Sequence, residues 1–253
     1  MVKRVKSILW GFVLAVAGLL AGAVDGAAQD YRVPEEEDVL SRTLDPDSPY
    51  YLDRLLGKYF AWDEPLTDEE LYYLYYGYAY SNHYRPLVPI SAEDRVLAIV
   101  EKIMGEPTEE SMHALVAAAS EVMEHDPFSP KNLNFLAFAY GSLGDGENER
   151  KCFERMQGVL RTIESTGSGK RETEPMHVLM FSHAADVVYA RGLDIKAREI
   201  VSRSCEYVFL TERDNEGNLG FYFDFSRVYM VPHEQPATEP QKRGWRINDM
   251  PLK

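Results

Sequence analysis

The sequence predicts a mainly α-helical fold of the α+β class, in which an array of αα-hairpins is closed by a C-terminal β-hairpin packed on it. Two observations lead to this prediction. Over residues 48–192, apolar residues recur at helical spacing behind successive helix-capping signals. Over residues 193–230 the spacing changes to alternation, and three Phe residues share one face of residues 221–226.

The first 28 residues have the order of a secretory signal peptide. Lys3, Arg4 and Lys6 precede an apolar run over residues 8–20, and small residues follow as far as Ala28. The apolar run is too short for a membrane-spanning helix. We therefore expect cleavage after Ala28 and an exported mature chain, periplasmic or extracellular, without a transmembrane segment.

The predicted helical domain covers residues 48–192 and follows a flexible acidic leader, residues 29–47. Each helix begins at a capping residue, at a proline suited to the first turn or at an acidic first turn. These start signals are Ser48, Thr67, Ser91, Thr108, Ser129, Glu147 and Pro175.

The C-terminal β-hairpin of the same domain is predicted over residues 193–230. A stretch rich in β-branched and aromatic residues, 197–211, is followed by a turn cluster at 214–218 and the alternating segment 221–226. Because an isolated hairpin is marginal in water, its Phe face should pack on the helices. Residues 231–253 are polar and rich in proline, which predicts a flexible tail.

One helix pair has the spacing of a known repeat. The Leu, small, aromatic, Gly and Phe positions of a tetratricopeptide unit are matched by Leu136, Ala137, Tyr140, Gly144 and Phe153. Glu149 and Met156 depart from the small residues of that pattern, and residues 91–125 have the hairpin geometry without the signature. The centre of the chain therefore resembles a tetratricopeptide-like array.

The net charge of the chain limits which classes of partner it can bind. A net charge of −14 repels nucleic acid, and an acidic polysaccharide would need a local basic patch, which the sequence does not reveal.

The compartment allows a disulfide between Cys152 and Cys205, but two buried thiols are the favoured interpretation. We expect no cofactor.

A block of tyrosines between residues 71 and 84 is the most unusual stretch. The favoured interpretation is an aromatic core helix whose hydroxyls reach neighbouring groups. The alternative is an exposed face that binds a partner or stacks on sugar rings. The candidate binding residues on that alternative are Tyr72, Tyr73, Tyr76, Tyr80 and Tyr84.

Other motifs carry little chemistry. Two Glu-x-x-His pairs, one ending at His113 and one at His177, have metal-ligand spacing, but Pro175 interrupts the second pair at a helix start. We therefore predict no metal site, and we assign no catalytic residue. His183 lies on an apolar stripe and is expected to be a hydrogen-bonded core residue.

Several segments resemble the secreted Bacteroidetes family known as domain of unknown function 4919. The segments are residues 48–51, residues 70–78, the helix pair over 126–144 and residues 220–227. The resemblance covers roughly residues 45–230 and implies export in a Gram-negative cell. It implies no reaction, cofactor or catalytic residue.

Together these observations predict a non-enzymatic binding or scaffold module whose partner is another envelope protein or a glycan. One alternative is a hydrolase-like enzyme with a site assembled in three dimensions around His177, His183 and Asp224. Another is a glycan-contacting accessory protein that uses exposed tyrosines. The oligomeric state stays open.

Overall fold

The computed structural model describes residues 31–62, 64–104 and 107–230. The predicted signal peptide and C-terminal tail lie outside these residues. The helices are α1 (Glu36–Thr43), α2 (Leu52–Ala61), α3 (Asp68–Tyr78), α4 (Ala92–Ile103), α5 (Glu109–Met123), α6 (Pro130–Ser142), α7 (Gly146–Glu164), α8 (Phe181–Ala190) and α9 (Ser226–Tyr229). The strands are β1 (Met176–His177), β2 (Ile195–Ile200), β3 (Cys205–Leu210) and β4 (Gly220–Asp224). The predicted mainly helical, α+β class is confirmed.

Local capping explains where several helices begin. At α3 the Thr67 side chain accepts from the Glu70 backbone, and the Glu70 carboxylate accepts from the Thr67 backbone in return. Thr108 and Ser111 form the same reciprocal pair at α5. Ser91, in contrast, has a helical backbone conformation and makes no capping hydrogen bond, so the cap predicted there does not form.

The helices α4, α5, α6 and α7 pack consecutively, each against the next in the chain. Their apolar faces form one hydrophobic cluster, while α2, α3, α7, α8 and the sheet enclose a second cluster. Phe153 on α7 packs against both clusters and joins them. Gly144, with φ of 80°, makes the reversal between α6 and α7.

The strands form one four-stranded sheet in the order β1-β4-β3-β2. The pairs β2–β3 and β3–β4 are antiparallel, whereas β1 runs parallel to β4, with Met176 opposite Phe223. The prediction of a single hairpin was therefore too simple, because the stretch taken as one strand divides into β2 and β3. Phe221 and Phe223 are buried on the helix side of the sheet, as predicted for the Phe face.

The helix predicted to begin at Pro175 begins instead at Phe181. The intervening residues Met176 and His177 form β1, and the Val178 N–H donates to the Asp224 carbonyl at 3.1 Å. Pairing with a distant strand thus overrides the helical spacing of the apolar residues in this segment.

Part of the segment predicted as a flexible leader is a packed helix. Val39 and Thr43 on α1 are buried, and the Arg32 guanidinium lies over the Tyr72 ring at 4.1 Å. A methyl group added at Gly77 of α3 would lie 2.7 Å from the Thr43 methyl. Glycine at this position therefore allows α1 to approach α3 closely.

Among the residues that the structure describes, no helix combines the length and apolar character needed to cross a membrane.

Candidate functional site

The tyrosine helix α3 is enclosed by the rest of the protein. Tyr72, Tyr73, Tyr76 and Tyr84 are all buried, and Tyr80 alone of the five candidate binding residues is exposed, at 37%. The interpretation as a core helix agrees with this burial. The alternative, an exposed aromatic binding face, fails for four of the five residues because α1, α7 and the segment before α8 cover them.

The buried hydroxyls are used for internal hydrogen bonds. Tyr76 donates to the His177 carbonyl at 3.0 Å, and Tyr84 donates to the Leu179 carbonyl at 2.6 Å. Burial raises the pKa of Tyr72 to about 12, so this phenol stays neutral at physiological pH. Tyr76 thus connects α3 to β1, and Tyr84, in the turn after α3, connects to the segment between β1 and α8.

His183 on α8 lies at the centre of a buried hydrogen-bond chain. The Tyr75 hydroxyl accepts from the Leu179 N–H at 3.1 Å and lies 2.8 Å from Nδ1 of His183. With Nε2–H directed at the Asp126 carboxylate, the neutral ring has an unprotonated Nδ1 that accepts from the Tyr75 hydroxyl. Nε2 faces both oxygens of Asp126 at 3.1 and 3.2 Å. His183 is thus the hydrogen-bonded core histidine that the sequence predicted.

Asp186, one turn further along α8, is a second buried acid in this region. Its carboxylate accepts from the Lys131 backbone N–H at 3.2 Å. Burial is the main influence on its pKa and raises it to about 6, although the neighbouring Lys131 and His183 act in the opposite direction. Asp186 is therefore a buried acid whose pKa burial raises above that of an exposed aspartate.

A third polar group surrounds Asp224 at the end of β4. Its carboxylate accepts from Ser204 at 3.0 Å and from the Ser226 hydroxyl. Nδ1 of His177 lies 3.3 Å from the carboxylate, within ion-pair range but without hydrogen-bond alignment. Burial opposes ionisation of Asp224, but the contacts with His177 and Ser226 outweigh it and hold the pKa well below its usual range.

The three residues of the hydrolase hypothesis belong to two different networks. His177 lies beside Asp224, whereas His183 bonds to Asp126 and Tyr75. Ser226 bonds to Asp224 and has no histidine base among its described hydrogen-bond partners, so it lacks the arrangement that activates a serine nucleophile. Within the described ranges, no group of three or more His, Cys, Asp or Glu side chains could hold a metal ion.

A further candidate site is a cleft of about 370 Å³ between α7 and the connection from α2 to α3. Its apolar part is formed by Trp62, Pro65, Leu66 and Leu71. Gly158 lets α7 approach this wall, because a methyl group there would lie 2.6 Å from a Leu71 methyl. The close packing of α7 against Leu71 therefore forms one wall of the cleft.

Arg155 of α7 occupies the inner side of this cleft. Its guanidinium lies 3.5 Å from the Trp62 ring centroid and 4.3 Å from that of Tyr59, and it donates to the Tyr59 carbonyl. Burial lowers the pKa of Arg155, and the neighbouring Tyr59 and Cys152 act in the opposite direction. A guanidinium always remains charged in proteins, so the cleft contains a partly desolvated, aromatic-stacked cation.

Three other cations line the same cleft, and each has a carboxylate partner. Arg150 pairs with Glu154 at 2.7 Å, Lys151 with Glu147 at 2.7 Å, and Arg161 with Asp68 at 2.8 Å. In the described part of the chain, no carboxylate forms an ion pair with Arg155, and Glu64 also lines the cleft.

Comparison with protein families gave one match, to the family described as Domain of unknown function (DUF4919), over residues 38–232. The chain belongs to the DUF4919 family. The match spans most of the sequence and agrees with the resemblance seen in its motifs. Comparison with the curated proteins gave no match, and comparison with the solved structures gave none either.

The cleft in this DUF4919 chain was missed by sequence reasoning. Arg150, Lys151, Arg155 and Arg161 do follow one another along α7, which is a detectable basic signal. Acidic residues interleave with them, so no basic patch stood out in the sequence. Trp62 gave no signal, because its left-handed backbone conformation, with φ of 61°, turns it toward α7 only in the folded chain.

Proposed function

We propose that this chain is an exported, non-enzymatic binding module that takes its ligand in the cleft between α7 and the α2–α3 connection. The observation that supports this proposal is the stacking of Arg155 on Trp62 and Tyr59 inside an open cleft. Aromatic rings and a positioned cation are common features of recognition sites. The consecutive packing of α4 to α7 provides a rigid frame, which we propose to be tetratricopeptide-like.

A binding array tests this proposal. The purified protein is applied to a printed array of neutral and acidic glycans and of short peptides. We expect retention of at least one ligand class, and we expect Trp62→Ala to abolish that retention. Phe60→Ala is the matched control, because Phe60 is an exposed aromatic residue near the end of α2 that does not line the cleft.

Two results would contradict the proposal. One is an array on which the protein retains no ligand. The other is retention that Trp62→Ala and Phe60→Ala reduce equally, since binding would then not depend on the cleft. Circular dichroism spectra of both variants check that the fold is intact.

Export is the second part of the proposal, and the first 28 residues support it through their basic start, apolar run and small-residue end. Mass spectrometry of the protein purified from a Gram-negative host should show a chain beginning at Gln29. A chain found in the cytoplasm with its N-terminus intact would contradict export.

A further inference from the structure

We propose that the cleft binds an acidic sugar unit whose single carboxylate is received by the Arg155 guanidinium. This inference rests on the proposed binding function and names its ligand class. It follows from the ion pairs of the cleft, the fixed position of Arg155 and the polar groups around it.

The ion pairs of the cleft leave the Arg155 guanidinium available to an anionic group of a ligand. The cations Arg150, Lys151 and Arg161 are each neutralised by a carboxylate at 2.7 to 2.8 Å. Arg155 has no such partner within the described residues. Arg155 is thus the lining cation that a ligand carboxylate can pair with without displacing a described carboxylate, although Glu64 also lines the cleft and the chain has a net charge of −14.

The position of Arg155 suits a carboxylate in particular. Stacking on Trp62 and Tyr59 fixes the plane of the guanidinium, and the Tyr59 carbonyl takes one of its five N–H groups. The remaining donors form a planar fork that matches the two oxygens of a carboxylate. Because the fork is held in place before binding, little side-chain entropy is lost when the ligand binds.

The rest of the cleft favours a sugar over an acidic peptide. Glu64, Asp68 and Glu154 line it, and they would repel the several carboxylates of an acidic peptide. The same carboxylates can accept hydrogen bonds from sugar hydroxyls, while Arg150 and Arg161 can donate to them. Pro65 and Leu66 provide apolar surface for a ring face, and about 370 Å³ lies within the range of ligand pockets.

Calorimetric titration with matched sugars tests the inference. The probes are three disaccharides that contain one glucuronic, galacturonic or mannuronic acid unit, and the methyl ester of each. We expect at least one acid to bind about 10- to 100-fold more tightly than its ester, since hydrogen bonds to a charged group are worth this much. Arg155→Ala should remove this preference, and Arg155→Lys, which keeps the charge but loses the fork, should reduce it.

Arg95→Ala is the matched control, because Arg95 is an exposed cation on α4 outside the cleft and should leave the preference unchanged. If Arg155→Ala unfolds, the comparison rests on Arg155→Lys. The inference is overturned if the acid and its ester bind equally or if Arg155→Lys keeps the full preference. It is also overturned if no acid binds although the array shows Trp62-dependent binding of another ligand. In these cases the proposed binding function still stands, whereas an array without any retained ligand removes both.

Discussion

Replacing Tyr75 by Phe removes one oxygen atom from the buried chain that links Leu179, Tyr75, His183 and Asp126. The hydroxyl accepts from the Leu179 N–H at 3.1 Å and bonds to Nδ1 of His183 at 2.8 Å, and the ring is fully buried. Without it, a backbone donor and a ring acceptor both lose their partner in the core. Each unpaired group costs about 1 to 3 kcal/mol, so we expect a loss of about 2 to 6 kcal/mol of unfolding free energy.

Tyr78→Phe is the matched control for this experiment. Tyr78 lies on the same helix, is buried, and like Tyr75 makes an edge contact with Phe128. Its hydroxyl has no hydrogen bond to the described residues, so its removal should change the free energy of unfolding by less than about 0.5 kcal/mol.

Urea unfolding followed by circular dichroism measures both variants against the parent protein. Equal stability of the Tyr75→Phe and Tyr78→Phe variants would refute the reasoning, because the hydrogen-bond chain would then contribute nothing to the core.

Three further predictions use other features of the fold. Gly77→Ala should destabilise the protein by about 1 to 3 kcal/mol through its clash with α1, whereas Gly57→Ala should stabilise the protein by up to about 1 kcal/mol, because open space surrounds Gly57. Urea midpoints in the reverse order would contradict this prediction. Because burial raises the folded-state pKa of Asp186 to about 6, folding takes up a proton, and the free energy of unfolding should rise by about 1 kcal/mol from pH 8 to pH 5. Asp186→Asn should lose this gain, and an unchanged pH dependence in that variant would contradict the prediction. Cys152 and Cys205 are both buried free thiols, and burial raises the pKa of each to about 12. A thiol reagent should therefore label neither in the native state and both after unfolding, whereas rapid labelling of the native protein would show that the thiols are accessible.

The helices were predictable because their signals are local. Thr67 and Glu70 cap α3 through groups three residues apart, and Ser129 with Pro130 starts α6 in the same way. The strand β1 could not be predicted, because its two residues gain their conformation from β4, which lies far along the chain. Local spacing contains no information about such a partner.

The candidate site depended on contacts of the same long-range kind. The tyrosine block indicated either a core or a binding face, and only the packing of α1 and α7 around α3 distinguishes the two. The Arg155 cleft forms where Trp62 turns onto α7, so its aromatic and cationic parts come from separate segments. A sequence pattern can supply the basic residues of α7, but not the ring that one of them stacks on.

The internal position of β4 has a consequence for shortened chains. β4 is the last strand in the described chain, yet it lies between β1 and β3 in the sheet. A chain ending before residue 220 would leave β1 without its strand neighbour and would convert β3 into an edge, while the apolar side of β3 would lose Phe221 and Phe223. Unpaired strand edges beside uncovered apolar surface promote aggregation. Premature termination a few residues upstream of β4 should therefore yield insoluble or degraded product, not a smaller stable fragment.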